Sequence, residues 1–511
     1  MSRLENTSKN FFFTIVSTLL SSGLGFVSRT IFIRELGITY LGANGLFTNI
    51  LSMLSLTELG IGSAIAFSLY KPLAQSDVET IKSLMNFYKK AYRVIALVIT
   101  GLGIVLIPFL PCLIKNPGEM KHITFIYIVF LYNTVISYLF SYKTTLLSAD
   151  QKSYLMTNVN MIISVVTTII QIVVLKLFKN YFVYLITGAF IGTIQWIFIN
   201  KYIFNRYPYL KDKDIAPLEI EQRNTITKNV KAMMFHKLGE LCINQTDNII
   251  ISSFISVAAV GVYNNYYMLI NIINKFALSF FNAATASLGN LIATETYGKR
   301  YQVFKGYNFL GFWIFGWTAI CLYVLLNPFV ELWLGKEFLV DDLTLTLVIL
   351  NYYLVGMRVT VGNVKMAAGL YSQDQWAPIV QSLINLIVSI IAAKNIGLSG
   401  VFLGTVVSSL SVPCWYRPII VYKYAFHKPV KEYFSSYVLY FLIVLINLLL
   451  VLAVNNFVLD KVCNNSYILF LMKMCVCAII PNIVIVILFF RNEEFKYIVE
   501  IVSSVLRRRN G

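Results

Sequence analysis

The sequence consists of long apolar runs that alternate with short polar segments. Each run holds about 20 mostly apolar residues, the length that an α-helix needs to cross the hydrocarbon of a bilayer. We identify fourteen such runs, at about 11–33, 41–69, 91–114, 122–147, 155–178, 182–204, 232–254, 257–285, 307–328, 344–370, 376–394, 398–422, 433–455 and 466–490. The pattern predicts an all-α integral membrane protein with about fourteen transmembrane helices. Segments 2, 8 and 10 are expected to be tilted or broken.

A single polar stretch, residues 205–231, is much longer than the other connections and carries two prolines and dense charge, as a linker does. The two flanking halves share short motifs in the same order. These are LG at 41–42 and VG at 260–261, ADQ at 149–151 and QDQ at 373–375, and GAFIGT at 188–193 and GVFLGT at 400–405. The similar offsets indicate a duplicated six-helix unit, and an even number of spans makes it a parallel repeat.

The repeat predicts how the chain is divided into domains. Residues 1–204 form an N-lobe of spans 1–6, and 205–231 form a cytoplasmic linker. Residues 232–422 form a C-lobe of spans 7–12, and 423–490 add spans 13 and 14. Residues 491–511 form a basic tail, in which apolar positions recur at helical spacing before three arginines. We expect this tail to be an amphipathic helix on the inner leaflet, with a solvated tail as the alternative.

Composition supports the membrane class and excludes others. The chain is 58% hydrophobic and only 13% charged, although its formal net charge is +18. A basic nucleic-acid binder would carry far more charge, so no nucleic-acid partner is expected. With the N-terminus in the cytoplasm, the cytoplasmic segments hold 28 of the 42 Lys and Arg residues and the outer segments hold 8. The positive-inside rule therefore predicts a multi-pass protein with both termini cytoplasmic.

Charged residues within the spans are costly and mark candidate functional positions. We single out nine charged residues within the spans, namely Arg29, Glu58, Lys237, Glu240, Asp247, Lys275, Arg358, Lys365 and Lys473. Lys237, Lys365 and Lys473 lie close enough to span ends to snorkel to the interface. The deeper cations Arg29, Lys275 and Arg358 are suited to holding a diphosphate in a wet cavity. The alternative left open is a set of internal ion pairs, with Arg29 beside Glu58 or Asp247 and Lys275 beside Glu240.

Two further groups of polar residues are expected to line the same cavity. Glu240, Asn244 and Asp247 share one face of span 7 and, with Glu58, would set cavity polarity or couple transport to a proton or sodium ion. A structural ladder of interhelix hydrogen bonds is the alternative. Asn271 and Asn274 on span 8 lie deeper than the aromatic belt near residues 263–267, and we predict that they contact sugars.

Signatures of enzymes and of nucleotide or metal sites are lacking. The three histidines are scattered, the cysteines lack metal-site spacing, and there is no Walker A loop, so we expect no cofactor, no metal and no catalytic residue. A membrane glycosyltransferase or polymerase would need a cluster of outer acids. The only such cluster consists of Glu331, Glu337, Asp341 and Asp342, on a short loop with Lys336, where solvation is the simpler interpretation.

Several motifs together resemble a known family. They are RTIFIRELGITYLGANGLF at 29–47, LTELGIGSAI at 56–65, TDNIIIS at 246–252, VGVY at 260–263, AGLY at 368–371 and GVFLGT at 400–405. They are similar to the bacterial polysaccharide transporters, or O-antigen repeat-unit flippases, of the multidrug/oligosaccharidyl-lipid/polysaccharide exporter superfamily. The resemblance covers nearly the whole chain, but its motifs are degenerate and depend mainly on glycine positions.

The resemblance implies two six-helix lobes and a flippase of the bacterial cytoplasmic (inner) membrane. Its substrate would be an undecaprenyl-diphosphate-linked oligosaccharide, moved by alternating access for surface polysaccharide synthesis. The partners implied are that substrate and membrane lipids, and contact with the polysaccharide polymerase machinery is left open.

In the related lipid II flippases, arginines of the first helix line the cavity. Arg29 matches them in kind, and Lys275 on span 8 is an analogue that is not matched residue by residue. A drug or cation antiporter of the same superfamily is the main alternative, although it would need an acidic cavity.

Overall fold

The computed structural model of the chain describes residues 3–55, 61–115, 122–212, 215–220, 223–224, 226–227, 245–370, 373, 376–462 and 465–509. These residues are almost entirely helical, and no strand occurs among them. The all-α prediction is confirmed. The chain divides into two compact units, 1–261 and 262–511. The domain boundaries predicted from the sequence stay predictions, because much of the linker and the start of span 7 lie outside the described residues.

The first unit contains the helices α1 to α7 and the described part of α8. The start of α9 also belongs to it. Their bounds are α1 (Arg3–Leu36), α2 (Ile38–Leu54), α3 (Ile61–Gln75), α4 (Val78–Leu106, prolonged by a 3₁₀ turn over Ile107–Leu113), α5 (Ile123–Ala149), α6 (Ser153–Phe178), α7 (Tyr181–Arg206), α8 (described over 245–254) and α9 (Val257–Thr294). A short 3₁₀ turn over Pro208–Lys211 follows α7.

The second unit continues α9 from Val262 and adds the remaining helices. They are α10 (Tyr297–Trp333), α11 (Asp342–Met357), α12 (Val359–Ala367), α13 (Ala377–Ile396), α14 (Leu398–Ser411), α15 (Pro413–Val421), α16 (Lys431–Val454), α17 (Asp460–Val462), α18 (Ser466–Phe489) and α19 (Glu493–Arg509). π-helical turns follow α15 over Tyr422–Phe426 and α16 over Asn455–Leu459.

Eleven helices of the described residues are long and apolar enough to cross a membrane. Three of the fourteen predicted spans are missing from this count, each for a different reason. Segment 2 contains residues 56–60 and segment 7 contains residues up to 244, both outside the described residues. Segment 8 is α9, which carries four asparagines in its first eighteen residues.

The expected breaks are found in part. Segment 10 divides at Arg358, where α11 ends and α12 begins with backbone angles of φ −86° and ψ −9°. Segment 8 is one continuous helix of 38 residues, so it is not broken. Segment 12 divides at Val412, an unexpected break, because Pro413 cannot donate a backbone hydrogen bond and so favours the first position of a new helix.

Some of the glycines shared by the two sequence halves lie where two helices approach closely. In the first unit, a Cβ on Gly261 would lie 2.5 Å from the carbonyl oxygen of Ile38 and 3.1 Å from the amide nitrogen of Gly42. In the second unit, Gly400 and Gly404 of α14 lie against the backbone of α13. Such contacts between small residues are a main source of helix association in a bilayer.

Aromatic and aliphatic side chains from α9, α10, α11, α12, α16 and α18 form the main core of the second unit. The ring of Phe312 on α10 stacks on Tyr440 of α16 with centroids 4.2 Å apart. α19 also packs here, because Phe495 stacks on Trp313 at 5.8 Å and a Cβ on Gly306 would meet Tyr497. The first turns of the predicted tail helix therefore contact protein, and its position at the membrane surface stays a prediction.

The contact between α13 and α14 yields a stability prediction. In Gly404→Ala the new Cβ would lie 2.5 Å from the amide nitrogen of Ser389, so the helices must separate. We expect a loss of about 1–3 kcal/mol of stability, the usual cost of overpacking, seen as a lower thermal midpoint of the purified protein in detergent.

The control for this substitution is Gly192→Ala, at the position that the repeat pairs with Gly404. A Cβ at this position would have no neighbouring atom within 4 Å, so we expect no loss of stability. Equal midpoints for the two variants would contradict the close approach of α13 and α14.

Candidate functional site

Arg29 lies on α1 of the first unit, in an apolar span and half-buried. Tyr184 of α7 is its electrostatic neighbour. One turn farther along α1, Phe32 packs edge-on against Tyr184, with ring centroids 5.1 Å apart, and Tyr184 stacks on Tyr181 at 6.4 Å. Arg29 therefore stands beside a group of aromatic rings that the sequence analysis did not identify. Phe32 and Tyr181 are buried, so only the half-buried Tyr184 could stack on a sugar.

This aromatic group is held in place by polar contacts at its edge. The Tyr181 hydroxyl donates a hydrogen bond to Asn44 Oδ1 of α2 at 2.5 Å. Nearby, Lys179 forms an ion pair with Glu35 of α1 at 3.4 Å. The sequence signal that could have revealed the group is Tyr181-x-x-Tyr184, whose spacing places both rings on one face of α7.

Asp247, the described member of the predicted acidic stripe, is half-buried on α8. The end of this helix is anchored in the first unit, because the Ser252 hydroxyl donates to the Leu113 carbonyl at 2.7 Å and Lys115 N donates to the Ser252 carbonyl at 3.0 Å. The other members, Glu58, Glu240 and Asn244, lie outside the described residues. Their predicted role in polarity or ion coupling stays a prediction.

α9 places Asn271, Asn274 and Lys275 on one face in the second unit, since residues three and four apart are neighbours on a helix. The two asparagines are half-buried and Lys275 is exposed. Among the described residues no acid forms an ion pair with Lys275, and Glu240, its predicted partner, lies outside them. This face combines amide groups with an exposed cation, the chemistry expected for contact with a phosphorylated sugar.

Arg358, the third predicted cation, lies inside the second unit with only 5% of its surface exposed. One guanidinium nitrogen donates to the Ser409 carbonyl at 3.1 Å, and the other donates to the Ser409 hydroxyl at 3.3 Å. That hydroxyl donates in turn to Asn351 at 3.1 Å. In this conformation Arg358 joins the α11–α12 break to α14, so the structure gives it a packing role, and its role toward phosphate stays a prediction.

A buried polar network near this break was not predicted from the sequence. Asn363 donates to the Phe281 carbonyl at 3.1 Å and to the Tyr307 hydroxyl at 2.9 Å. Thr360 donates to Asn308 at 2.8 Å. These residues join α9, α10 and α12 within the core. Neutral amides and hydroxyls in the spans were the only sequence signal for this network.

The sequence profile of a family described as "Polysaccharide biosynthesis protein" matches residues 7–286, more than half of the chain. The chain belongs to this family. None of the curated proteins matches it.

The fold of this polysaccharide biosynthesis protein is similar to those of known membrane transporters. The "Lipid II flippase MurJ, inward closed conformation" matches with a TM-score of 0.65 at 16% identity, over 94% of this chain and 99% of that one. A multidrug resistance MATE family transporter of the MOP superfamily, inward-facing, matches with a TM-score of 0.54 at 14% identity, over 78% and 94%. A Vibrio cholerae MATE transporter, VcmN, matches with a TM-score of 0.55 at 16% identity, over 86% and 99%. The protein thus has the all-α fold of this transporter superfamily.

The acidic cluster at 331–342 in this family member contains a structural carboxylate. Asp341 caps α11, since its side chain accepts hydrogen bonds from Thr344 N at 3.0 Å and from the Thr344 hydroxyl at 2.6 Å. Ser399 at the start of α14 donates to the same carboxylate at 2.8 Å. Partial desolvation alone would raise the pKa of Asp341, but these hydrogen bonds outweigh it and hold the pKa below its ordinary value.

The cap predicts a pH-dependent contribution to stability. Because the folded pKa of Asp341 lies below the unfolded value of about 3.9, the cap stabilises the protein above that pH and is lost as the pH falls through the folded pKa. Asp341→Ala should cost about 1 kcal/mol at neutral pH and much less under acid conditions. Thermal midpoints measured at both pH values would test this.

Asp342→Ala is the matched control, because this neighbouring acid is exposed and its side chain caps no helix among the described residues. We expect a smaller and less pH-dependent change. An equal loss in both variants would contradict the capping role of Asp341.

Proposed function

We propose that this protein is a flippase that moves an undecaprenyl-diphosphate-linked oligosaccharide repeat unit across the bacterial cytoplasmic membrane. The observation that carries the proposal is the combination of a family in polysaccharide biosynthesis with a fold similar to that of a lipid II flippase. Movement would be by alternating access, with the product used for a surface polysaccharide such as O antigen. The excess of Lys and Arg in one set of connections supports cytoplasmic termini.

The described residues supply the chemistry that such a substrate needs. Arg29 offers a fork of donors that matches phosphate oxygens, and Tyr184 beside it offers a ring for sugar stacking. Lys275 is exposed and has no acid partner among the described residues, so it is available to a second phosphate. Asn271 and Asn274 lie on the same helix face and can donate to sugar hydroxyls. Each group would act in its own unit as the substrate passes.

A drug or cation antiporter is the second candidate, favoured by the similarity to two multidrug-type transporters. Its cavity should be acidic, whereas Arg29 and Lys275 are cations. A polymerase or glycosyltransferase is less well supported, because Asp341 of the candidate acid cluster is committed to capping α11.

Removal of the two proposed phosphate ligands should abolish or strongly reduce transport. In Arg29→Ala and Lys275→Ala, each lost charged hydrogen bond should cost about 1.5–3 kcal/mol, or roughly tenfold or more in transport. The measurement is the amount of surface polysaccharide in cells that lack the gene and carry each variant at equal protein level.

Matched controls remove the same charge elsewhere. Arg34→Ala removes an exposed arginine from α1, and Lys336→Ala removes a lysine whose side chain is 83% exposed in the second unit. Both should leave polysaccharide unchanged. Normal polysaccharide in Arg29→Ala and Lys275→Ala would contradict the proposed site. If deletion of the gene left polysaccharide intact but sensitised cells to toxic organic cations, the antiporter would replace the flippase.

A further inference from the structure

Three lysines of the first unit converge on a cleft that the preceding sections leave without a function. The cleft has a volume of ≈ 60 Å³ and is lined by Lys82 and Lys89 of α4 and Lys143 of α5, together with Asp212. Its other walls come from the end of α7 and the segment after it. The charge count predicts that this end of the helices faces the cytoplasm.

Lys143 is the unusual member because it is buried, with 7% of its surface exposed. Its ammonium donates to Asn200 Oδ1 on α7 and lies 3.9 Å from the centre of the Phe204 ring. No acid among the described residues forms an ion pair with it. An ammonium has three donors and is costly to bury without a counter-charge, so a neutral amide and a ring compensate it only in part.

The other two lysines differ in how they are compensated. Lys82 is paired with Glu79 at 2.6 Å and with Asp212 at 3.2 Å. Lys89 is exposed and no described acid pairs with it. Among the described residues of the lining Asp212 is the only acid, so these residues carry a formal net charge of three minus one, or +2. Positive charge concentrated in a cleft with apolar walls attracts anions more strongly than the same charge on an open surface.

The cleft is a built feature of the unit, because the segment after α7 is fixed across the start of α4. The Ser83 hydroxyl donates to the Ala216 carbonyl at 2.7 Å, and Asp212 is held by Lys82. These contacts position one wall of the cleft, while Asn200 and Phe204 position Lys143 in another. Contacts within the protein therefore hold the three lysines close together.

We propose that this cleft binds a phosphate group through Lys89 and Lys143, with Lys82 available when Asp212 releases it. Phosphate suits the site because its several oxygens can accept charged hydrogen bonds from more than one ammonium at once. The phosphate would come from a phospholipid headgroup or from a soluble phosphate compound. This inference does not depend on the proposed flippase activity and can be tested without transport.

The test is titration of the purified full-length protein in detergent with inorganic pyrophosphate at low ionic strength, where charge interactions are least screened. We expect Lys143→Gln to weaken binding about tenfold or more and Lys89→Gln to weaken it severalfold. Lys201→Gln is the matched control, since it removes an exposed lysine of α7 that does not line the cleft, and it should bind as the unaltered protein does.

Asp212→Asn separates an anion site from a structural role. Removal of this carboxylate raises the positive charge of the cleft and frees Lys82 from one partner, so pyrophosphate should bind severalfold more tightly. A weakening of binding in Asp212→Asn, or unchanged binding in Lys89→Gln, would overturn the proposal. Because Lys89 and Asp212 are exposed, these variants remain decisive if Lys143→Gln fails to fold.

A second pair of preparations identifies the source of the phosphate. The same titration is made in nanodiscs of phosphatidylcholine and in nanodiscs that also contain phosphatidic acid. Weaker pyrophosphate binding with phosphatidic acid would support the cleft and assign it to lipid headgroups. Equal binding in the two discs would support it and assign it to soluble phosphate. No detectable pyrophosphate binding in detergent or in either disc would overturn the proposal.

Discussion

The structure depends on the rule that polar groups inside a bilayer must find their partners within the chain, because hydrocarbon offers none. Helices satisfy the backbone, and polar side chains in the spans must then bond to other helices. Asn385 of α13 donates to Thr405 of α14 at 3.1 Å, and Ser389 of α13 donates to the Val401 carbonyl at 2.9 Å. These bonds are possible only because glycines let the two helices approach, so close packing and polar pairing support each other.

The same rule explains how the second unit tolerates a buried arginine. A guanidinium in a core normally requires a carboxylate, but Arg358 lies where α11 ends and α14 runs past it. The carbonyl and hydroxyl of Ser409 then accept hydrogen bonds from its two terminal nitrogens, while its buried Nε has no hydrogen-bond partner among the described residues. The break between α11 and α12 and the buried charge are therefore one feature. A continuous helix would remove the local geometry that brings Arg358 to Ser409.

Much of the fold could be predicted from the sequence, because the length and hydropathy of a span follow directly from the thickness of the bilayer. Thirteen of the fourteen predicted segments coincide with helices that the structure describes in whole or large part, and α8 is described only over 245–254. A tilt or break in segment 10 was expected, but its position at Arg358 was not. The break before Pro413 had a clear signal in the proline, and a continuous α9 follows from the absence of proline between Val257 and Thr294.

The candidate site could be predicted less well, because sequence gives the depth of a charge but not its surroundings. Arg29, Lys275 and Arg358 have the same sign and all lie within predicted spans, yet they are half-buried, exposed and buried, respectively. Lys143 was counted only as part of the charge that orients the chain, although it is buried against Phe204. A cation becomes a candidate ligand only when its protein partners leave its charge incompletely compensated. By that criterion Lys275 and Lys143 are candidates, and so is Arg358, because its terminal nitrogens bond to neutral groups of Ser409 and its buried Nε has no hydrogen-bond partner among the described residues.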